Sequence, residues 1–261
     1  MRFWPLVVLV LAVAIPVPAS AEEPPQRAAD AQPPNPTPDF LFGRPRGSIG
    51  IRGSWVLGRA SSDFYDFVTD QLTLNKSDFN RPAIGTQGAV TLGRRFDIVF
   101  GVDYGQSTTN SEYRRFVDNN RLPIEQTTVL RDTQLMAGLK YALVERGRPV
   151  SRLAWVPKSL VPFVGAGAGV MYFQLRQTGD FVDYIDLSVF PDVFEASGWA
   201  PTAHVFGGVD YRLLRRLYLN LEGRYIWASG DLGRTWVGFD RVDLAGFRMA
   251  AGINLIFEEA R

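Results

Sequence analysis

AGFRMAAGINLIF, Ala245 to Phe257, alternates without a break: Ala245, Phe247, Met249, Ala251, Ile253, Leu255 and Phe257 are apolar, and Gly246, Arg248, Ala250, Gly252 and Asn254 stand between them. A period of two residues belongs to a β-strand with one oily face and one small or polar face. Such a strand fits a soluble sandwich, with the oily face turned to a core, or a membrane barrel, with it turned to lipid. Register is self-specifying in the second case, because a slip by one residue would turn Arg248 toward lipid at about 2–4 kcal/mol near the midplane.

The same two faces recur upstream. Phe96, Ile98, Phe100, Val102 and Tyr104 oppose Asp97, Val99, Gly101, Asp103 and Gly105. Leu217, Leu219, Leu221, Tyr225 and Trp227 oppose Asn220, Glu222 and Arg224. Leu135, Ala137, Leu139, Tyr141 and Leu143 oppose Gln134, Gly138 and Lys140, and Ile49, Ile51, Trp55 and Leu57 oppose Gly50, Arg52 and Ser54. In 202–212, Ala203, Val205, Val209 and Tyr211 are set against Thr202, His204, Asp210 and Arg212; segments 83–94 and 162–176 are blurred by Gly and Ala, with Val164, Val170 and Tyr172 read as outward. Eight strands result, each as long as the roughly 9–11 residues a tilted membrane strand requires, whereas sandwich strands average about 5–6. The expected fold is an all-β, antiparallel, eight-stranded transmembrane β-barrel with long extracellular loops.

Connections alternate in length, as the short periplasmic turns and longer outer loops of such barrels do. Long ones are read at 60–82, 108–127, 177–200 and 230–241, and tight ones at Gly93-Arg94-Arg95-Phe96 and Leu214-Arg215-Arg216-Leu217. The exception is ERGRPVSRLAWVPKSL, 145–160, too long for a periplasmic turn and carrying Arg146, Arg148, Arg152 and Lys158 around Trp155. It reads as an irregular interfacial loop with an aromatic anchor, or as a contact for a periplasmic or anionic-lipid partner.

The N-terminus assigns the compartment. Arg2, the apolar run from Pro5 to Ile15, the breaking Pro16 and Pro18, and Ala19-Ser20-Ala21 form a signal peptide, 1–21, too short for a spanning helix. A Pro-rich leader, 22–46, is expected to be disordered and periplasmic; the barrel is placed at 47–257 and a short tail at 258–261. Both termini are expected on the periplasmic side of a bacterial outer membrane. Cysteine is absent, which excludes a disulfide framework and a lipoprotein anchor. With 28 Lys and Arg against 27 Asp and Glu, nothing points to nucleic acid.

The inward faces hold the candidate polar network Arg52, Asp103, Lys140, Asp210, Glu222, Arg224 and Arg248, with Asp132 beside it. Eight strands leave room inside for side chains alone, so these charges are expected to pair and fill the lumen. His204 is the sole histidine, has no nucleophile near it in sequence, and carries no catalytic constellation. No metal or cofactor motif is present, and the glycines of VGAGAG, Val164 to Gly169, are read as making room inside the barrel. In the first long loop, Phe64, Phe67, Val68 and Leu72 follow a Ser61-Ser62-Asp63 cap signal at helical spacing, so a short amphipathic helix either packs over the mouth or offers a contact surface. The third loop, with Phe181, Tyr184, Ile185, Leu187, Val189 and Phe190, is similarly apolar, and the two together form a candidate lid.

GVDY (Gly101 to Tyr104), VPFVGAGAG (Val161 to Gly169), GGVDYRLLRRLYLNLEGRYIW (Gly207 to Trp227) and the terminal INLIF give the chain a resemblance to the small OmpA-, OmpX- and OmpW-type outer-membrane barrels. That resemblance implies a non-enzymatic barrel, structural or binding through its surface loops, or alternatively an OmpW-like channel or carrier for a small apolar solute. The implied partners are outer-membrane lipid, the barrel-assembly machinery during biogenesis, and an extracellular ligand or apolar solute. Lipid A deacylases of the outer membrane place a Ser two positions after their catalytic His, and Phe206 stands there. Strands of this kind usually finish a chain on an aromatic residue, whereas Phe257 is followed by Glu258-Glu259-Ala260-Arg261.

Overall fold

The computed structural model describes residue 41 and residues 43–150, 154–233, 236, 238–239 and 241–258. The signal peptide, the leader up to Phe40, Arg152 and the last three residues of the tail lie outside the described residues. Thirteen elements follow in order: β1 Pro45–Gly58, α1 Asp63–Gln71, a 3-10 turn Lys76–Phe79, β2 Arg81–Thr91, β3 Phe96–Val117, β4 Pro123–Ala142, β5 Gly147–Pro149, β6 Trp155–Pro157, β7 Leu160–Val182, β8 Val189–Arg212, β9 Leu217–Asp231, β10 Arg241–Asp243 and β11 Gly246–Glu258.

Eight of the strands close a ring. Every neighbour pair in the order β1, β2, β3, β4, β7, β8, β9, β11 and back to β1 is antiparallel. Closure removes the sheet edges that lipid cannot solvate. Alternation then sorts the side chains: Ile51 is 69% exposed and Ile84 70%, while Arg248 on the opposite face is 2% exposed. Exposed Trp55, Phe100, Leu139, Val205, Leu221 and Ile253 continue the apolar belt around the ring. A belt of this size on a closed barrel requires a hydrocarbon surround, and the chain is a transmembrane β-barrel. Ile51→Arg places a charge on that belt in mid-strand. Refolding into zwitterionic lipid vesicles, followed by gel mobility with and without heating, should show a loss of about 2–4 kcal/mol of folding free energy; unchanged folding would mean that Ile51 does not face lipid.

The loops depart from their expected form in three places. Residues 108–117 and 123–127, expected in a loop, are strand: β3 and β4 stay paired through Glu112 opposite Glu125, and the hairpin turns over Asp118, whose Oδ1 accepts from Asn120 and Leu122 at 2.9 and 2.6 Å. Residues 177–182 and 189–200 likewise belong to β7 and β8, paired to Val182 opposite Val189. Above the lipid both faces of a strand meet polar surroundings, so the alternation fades while the ladder continues. Connection 145–160 contains a small ribbon, β5 paired with β6, and Trp155 is buried there, bridged to Leu41 by hydrogen bonds of 2.8 and 3.0 Å. At the chain ends, β1 begins at Pro45, inside the segment assigned to the leader, and Glu258 belongs to β11 and accepts from Arg216 at 2.9 Å.

Beyond the ring, β3, β4, β7 and β8 rise as a wall at the long-loop end. Residues 72–73 add to the edge of β3, with Thr73 N–H donating to the Glu112 carbonyl at 2.8 Å. Against the wall sit α1 and Leu232, Trp236, Phe239, Val242 and Leu244. Phe64, Tyr65 and Val68 of α1 join Leu130, Met171, Phe173, Ile226, Trp236 and Leu244 in one apolar core inside the mouth.

Candidate functional site

The barrel interior is layered. In the middle lies an ion-paired network, and Asp103 is its hub: Arg52 donates to it twice, Nε to Oδ1 at 2.8 Å and Nη2 to Oδ2 at 2.6 Å, and Arg248 donates to the same carboxylate. Arg248 also reaches Asp132 at 3.5 Å, and Arg81 pairs with Asp132 from the start of β2. Arg224 donates through Nε and Nη2 to Glu222 at 2.9 and 2.6 Å, and Arg52 lies 3.6 Å from Glu222. Arg224 and Arg248 are directly opposite on β9 and β11, a like-charge pairing that is unfavourable alone. Each aims at a different carboxylate, so the repulsion is offset. Gln87 extends the network, accepting from Arg52 at 3.2 Å and donating to Asn254 at 2.8 Å.

Lys140 and Asp210 form a second pair toward the short-turn end, 2.5 Å apart, with Lys140 also 3.7 Å above the Phe163 ring. Arg146, from the β4–β7 connection, folds back to hold Asp97 with two bonds of 2.6 and 2.5 Å, which closes that end together with Trp155. All seven residues read as the polar network are therefore inward, five in the central cluster and Lys140 with Asp210 apart from it. Missed by sequence reasoning were Arg81 as a member and Arg146 as a closing group. Arg81 shares parity with the inward Ala83, Gly85 and Gln87, a signal that the small residues of β2 obscured.

Two inward glycines explain VGAGAG. A Cβ at Gly167 would strike His204 Nε2 and the Ala137 carbonyl, and one at Gly165 would strike the Phe206 ring. These glycines give β8 side chains the lumen space in front of β7. His204 is buried, with its ring 5.8 Å from that of Phe206.

The helix read from the first loop forms over Asp63–Gln71, with Asp63 and Asp66 in its first turn, where the helix dipole favours acid. Ser62 is the N-cap residue, but its hydroxyl accepts from Asp243 N–H of β10 at 3.3 Å instead of capping the helix. Phe64, Val68 and Leu72 are buried in the mouth, so they plug it, whereas Phe67 stays exposed.

Above this plug is a cleft of about 200 Å³ between α1 and the wall. Its sides are aromatic: Phe67 from α1, Phe181 and Phe194 from the β7–β8 hairpin, and Trp236 and Phe239 from the last loop. The rings brace one another edge to face, with centroids 4.5 Å apart for Phe181 and Phe194 and 5.1 Å for Phe64 and Trp236. Polar groups at the cleft are few. Gln177 donates to Gln126 at 2.5 Å, and the Tyr184 hydroxyl donates to Gln71 at 3.3 Å. The described lining residues include no Asp, Glu, Lys or Arg, so the cleft is uncharged at neutral pH, and burial and the neighbouring Tyr113 raise the Tyr184 hydroxyl to about 12. Such a cleft accepts a small apolar molecule with a few fixed polar contacts.

A closed ring of eight strands, apolar outside, ion-paired within and stoppered by a helix, defines a plugged transmembrane β-barrel. No family model matches the chain, and no curated protein does. Among solved structures, it is similar to the outer membrane protein OprG from Pseudomonas aeruginosa (12% identity, TM-score 0.44, covering 84% of this chain and 100% of that one). It is similar also to neisserial surface protein A (14%, 0.43, 81% and 97%) and to the outer membrane protein AlkL (16%, 0.39, 93% and 99%).

Proposed function

We propose that the chain is a non-enzymatic barrel of a bacterial outer membrane, its termini on the periplasmic side, that binds a small apolar solute between its surface loops. The aromatic cleft over a stoppered lumen carries this reading, because it is a concave apolar site on the loop face of a barrel whose axis is blocked. The signal-peptide pattern read in residues 1–21 and the apolar belt support the compartment. Biogenesis would then pass through the barrel-assembly machinery. A non-catalytic role is supported by the setting of His204, a buried ring tilted against Phe206 and lining the same part of the lumen as the cation Arg224. Among the described residues, no group of three His, Cys, Asp or Glu is placed to hold a metal ion.

The carrier reading implied by the resemblance to OmpW-type barrels has one observation in its favour. Above Thr202, β8 pairs with β7 alone, while the end of β9 turns to β10, so the ring ladder is interrupted beside the mouth. A solute held in the cleft would leave sideways through this interruption toward lipid, since the charged layer blocks the axis.

The absence of cysteine makes the cleft simple to probe. With Phe190→Cys at the cleft and Ile185→Cys at the loop tip, which is 94% exposed, maleimide labelling of the folded protein is followed with and without saturating naphthalene. Naphthalene should slow labelling at 190 several-fold and leave 185 unchanged. Equal rates at 190 with and without it would remove the solute-binding reading.

A further inference from the structure

Basic charge is concentrated at one end of the barrel, although the chain as a whole is nearly balanced. Each connection at the short-turn end is basic. The β2–β3 turn reads Leu92-Gly93-Arg94-Arg95-Phe96, the β8–β9 turn reads Leu213-Leu214-Arg215-Arg216-Leu217, and the β4–β7 connection carries Arg146, Arg148 and Lys158. The loop end mixes both signs, with Asp66 paired to Lys76 and Asp70 to Arg115, and adds Asp118, Asp183 and Asp186. Both tight turns therefore place paired arginines between apolar residues, and Leu92, Phe96, Leu213 and Leu214 are exposed there as the continuation of the lipid belt.

One of these basic regions encloses space. Between the β2–β3 turn and the β5–β6 ribbon lies a cavity of about 190 Å³, lined by Arg44, Arg94, Arg146 and Trp155, with Glu145 the carboxylate among the lining residues. Arg146 is committed to Asp97, and Arg94 reaches Glu145 only at 3.6 Å, with both side chains largely exposed. An exposed pair at that separation contributes little, so Arg44 and Arg94 leave the cavity electropositive. Leu92 precedes the lining Gly93 and Arg94 in the chain, and exposed Val150 follows the lining Pro149, so apolar surface adjoins the cationic cavity on two sides.

We infer that this cavity holds the phosphate of an anionic phospholipid headgroup in the leaflet next to the termini. A guanidinium pair matches phosphate oxygens, and the adjoining leucine and valine match the acyl chains attached to the same molecule. Because Leu92 continues the lipid belt, the cavity opens at the level of the bilayer surface, where phosphate is presented by lipid headgroups. Basic groups next to a membrane surface each add about 1 kcal/mol of attraction to anionic lipid, which ties the other short-turn arginines to the same leaflet.

The test is native mass spectrometry of the mature protein from nanodiscs of mixed phosphatidylglycerol and phosphatidylcholine. The wild-type barrel should retain phosphatidylglycerol several-fold above its bulk fraction. Arg44→Gln combined with Arg94→Gln should lower retention several-fold toward the bulk ratio, and Arg115→Gln at the loop end should leave it unchanged. Gel mobility before and after heating confirms folding of each variant, and Arg94→Gln alone, on an exposed turn, gives an intermediate result if the double variant does not fold. Equal enrichment in wild type and Arg94→Gln would overturn the assignment, as would retention of inorganic phosphate from a phosphate-containing buffer without any lipid preference.

Discussion

Asp103→Asn should destabilise the barrel by about 3–5 kcal/mol, the range for removing one partner from a buried charge pair. Asp103 is fully buried and holds two arginines at once, Arg52 through both carboxylate oxygens and Arg248 through one. The central layer contains Arg52, Arg81, Arg224 and Arg248 against Asp103, Asp132 and Glu222. It is already one carboxylate short among the described residues, so neutralising the hub leaves four cations with two acids. Glu222→Ala should cost less, because Arg52 keeps Asp103 and Arg224 keeps the Phe206 ring 4.9 Å away. Arg115→Ala, which breaks an exposed pair with Asp70, should cost no more than about 1 kcal/mol. Urea unfolding in lipid vesicles orders the three. Equal midpoints for Asp103→Asn and Arg115→Ala would show that the lumen is hydrated enough to screen its own charges, and the hub role would fall.

Much of this architecture was legible because lipid imposes a strict rule on strands. Ile253, Leu255 and Phe257 have to face outward if Arg248 and Asn254 are to face inward, and the ring realises that parity on every strand. The rule ends where the lipid does. Thr108 to Val117 and Gln177 to Val182 carry polar residues on both faces, which reads as loop, yet their ladders continue into a wall. Pairing above the membrane depends on the partner strand, which no single segment reveals. Connection 145–160 was opaque for a related reason, since Trp155 meets Leu41 and Arg146 meets Asp97 across long sequence separations.

The polar network shows the same division. Arg52, Asp103, Glu222, Arg224 and Arg248 were identifiable as inward from alternation, but alternation says nothing about height along the axis. Height determines who pairs with whom. It brings Asp103 of β3 to Arg52 of β1 and Arg248 of β11, and it keeps Lys140 with Asp210 on a separate level. In the first loop, helical spacing located α1, but Phe64, Val68 and Leu72 proved to be the stopper, and the cleft above them draws on three further loops.

The intact protein should show no steady conductance in a planar bilayer, and removing Phe64 to Leu72 should open no large pore. The deletion takes away the apolar stopper, because Phe64 and Val68 are 1% exposed and Leu72 2% exposed within the mouth core. What lies beneath is a continuous charged layer, in which Arg52 of β1, Arg81 of β2, Asp103 of β3, Asp132 of β4, Glu222 and Arg224 of β9 and Arg248 of β11 reach across the lumen. An eight-stranded barrel has an interior only wide enough for such side chains to fill it. An ion would have to displace guanidinium groups from their carboxylates, each a buried pair whose disruption is strongly unfavourable. Brief flickers from hydrated gaps are compatible with this arrangement, but resolved steps of fixed size are not. Reproducible single-channel openings in the intact protein would show that the layer parts on its own. Openings confined to the deletion variant would transfer the obstruction to α1, and Arg224→Ser combined with Arg248→Ser in the intact chain should then leave the bilayer silent. If instead that double substitution conducts while the deletion does not, the ion-paired layer is the barrier.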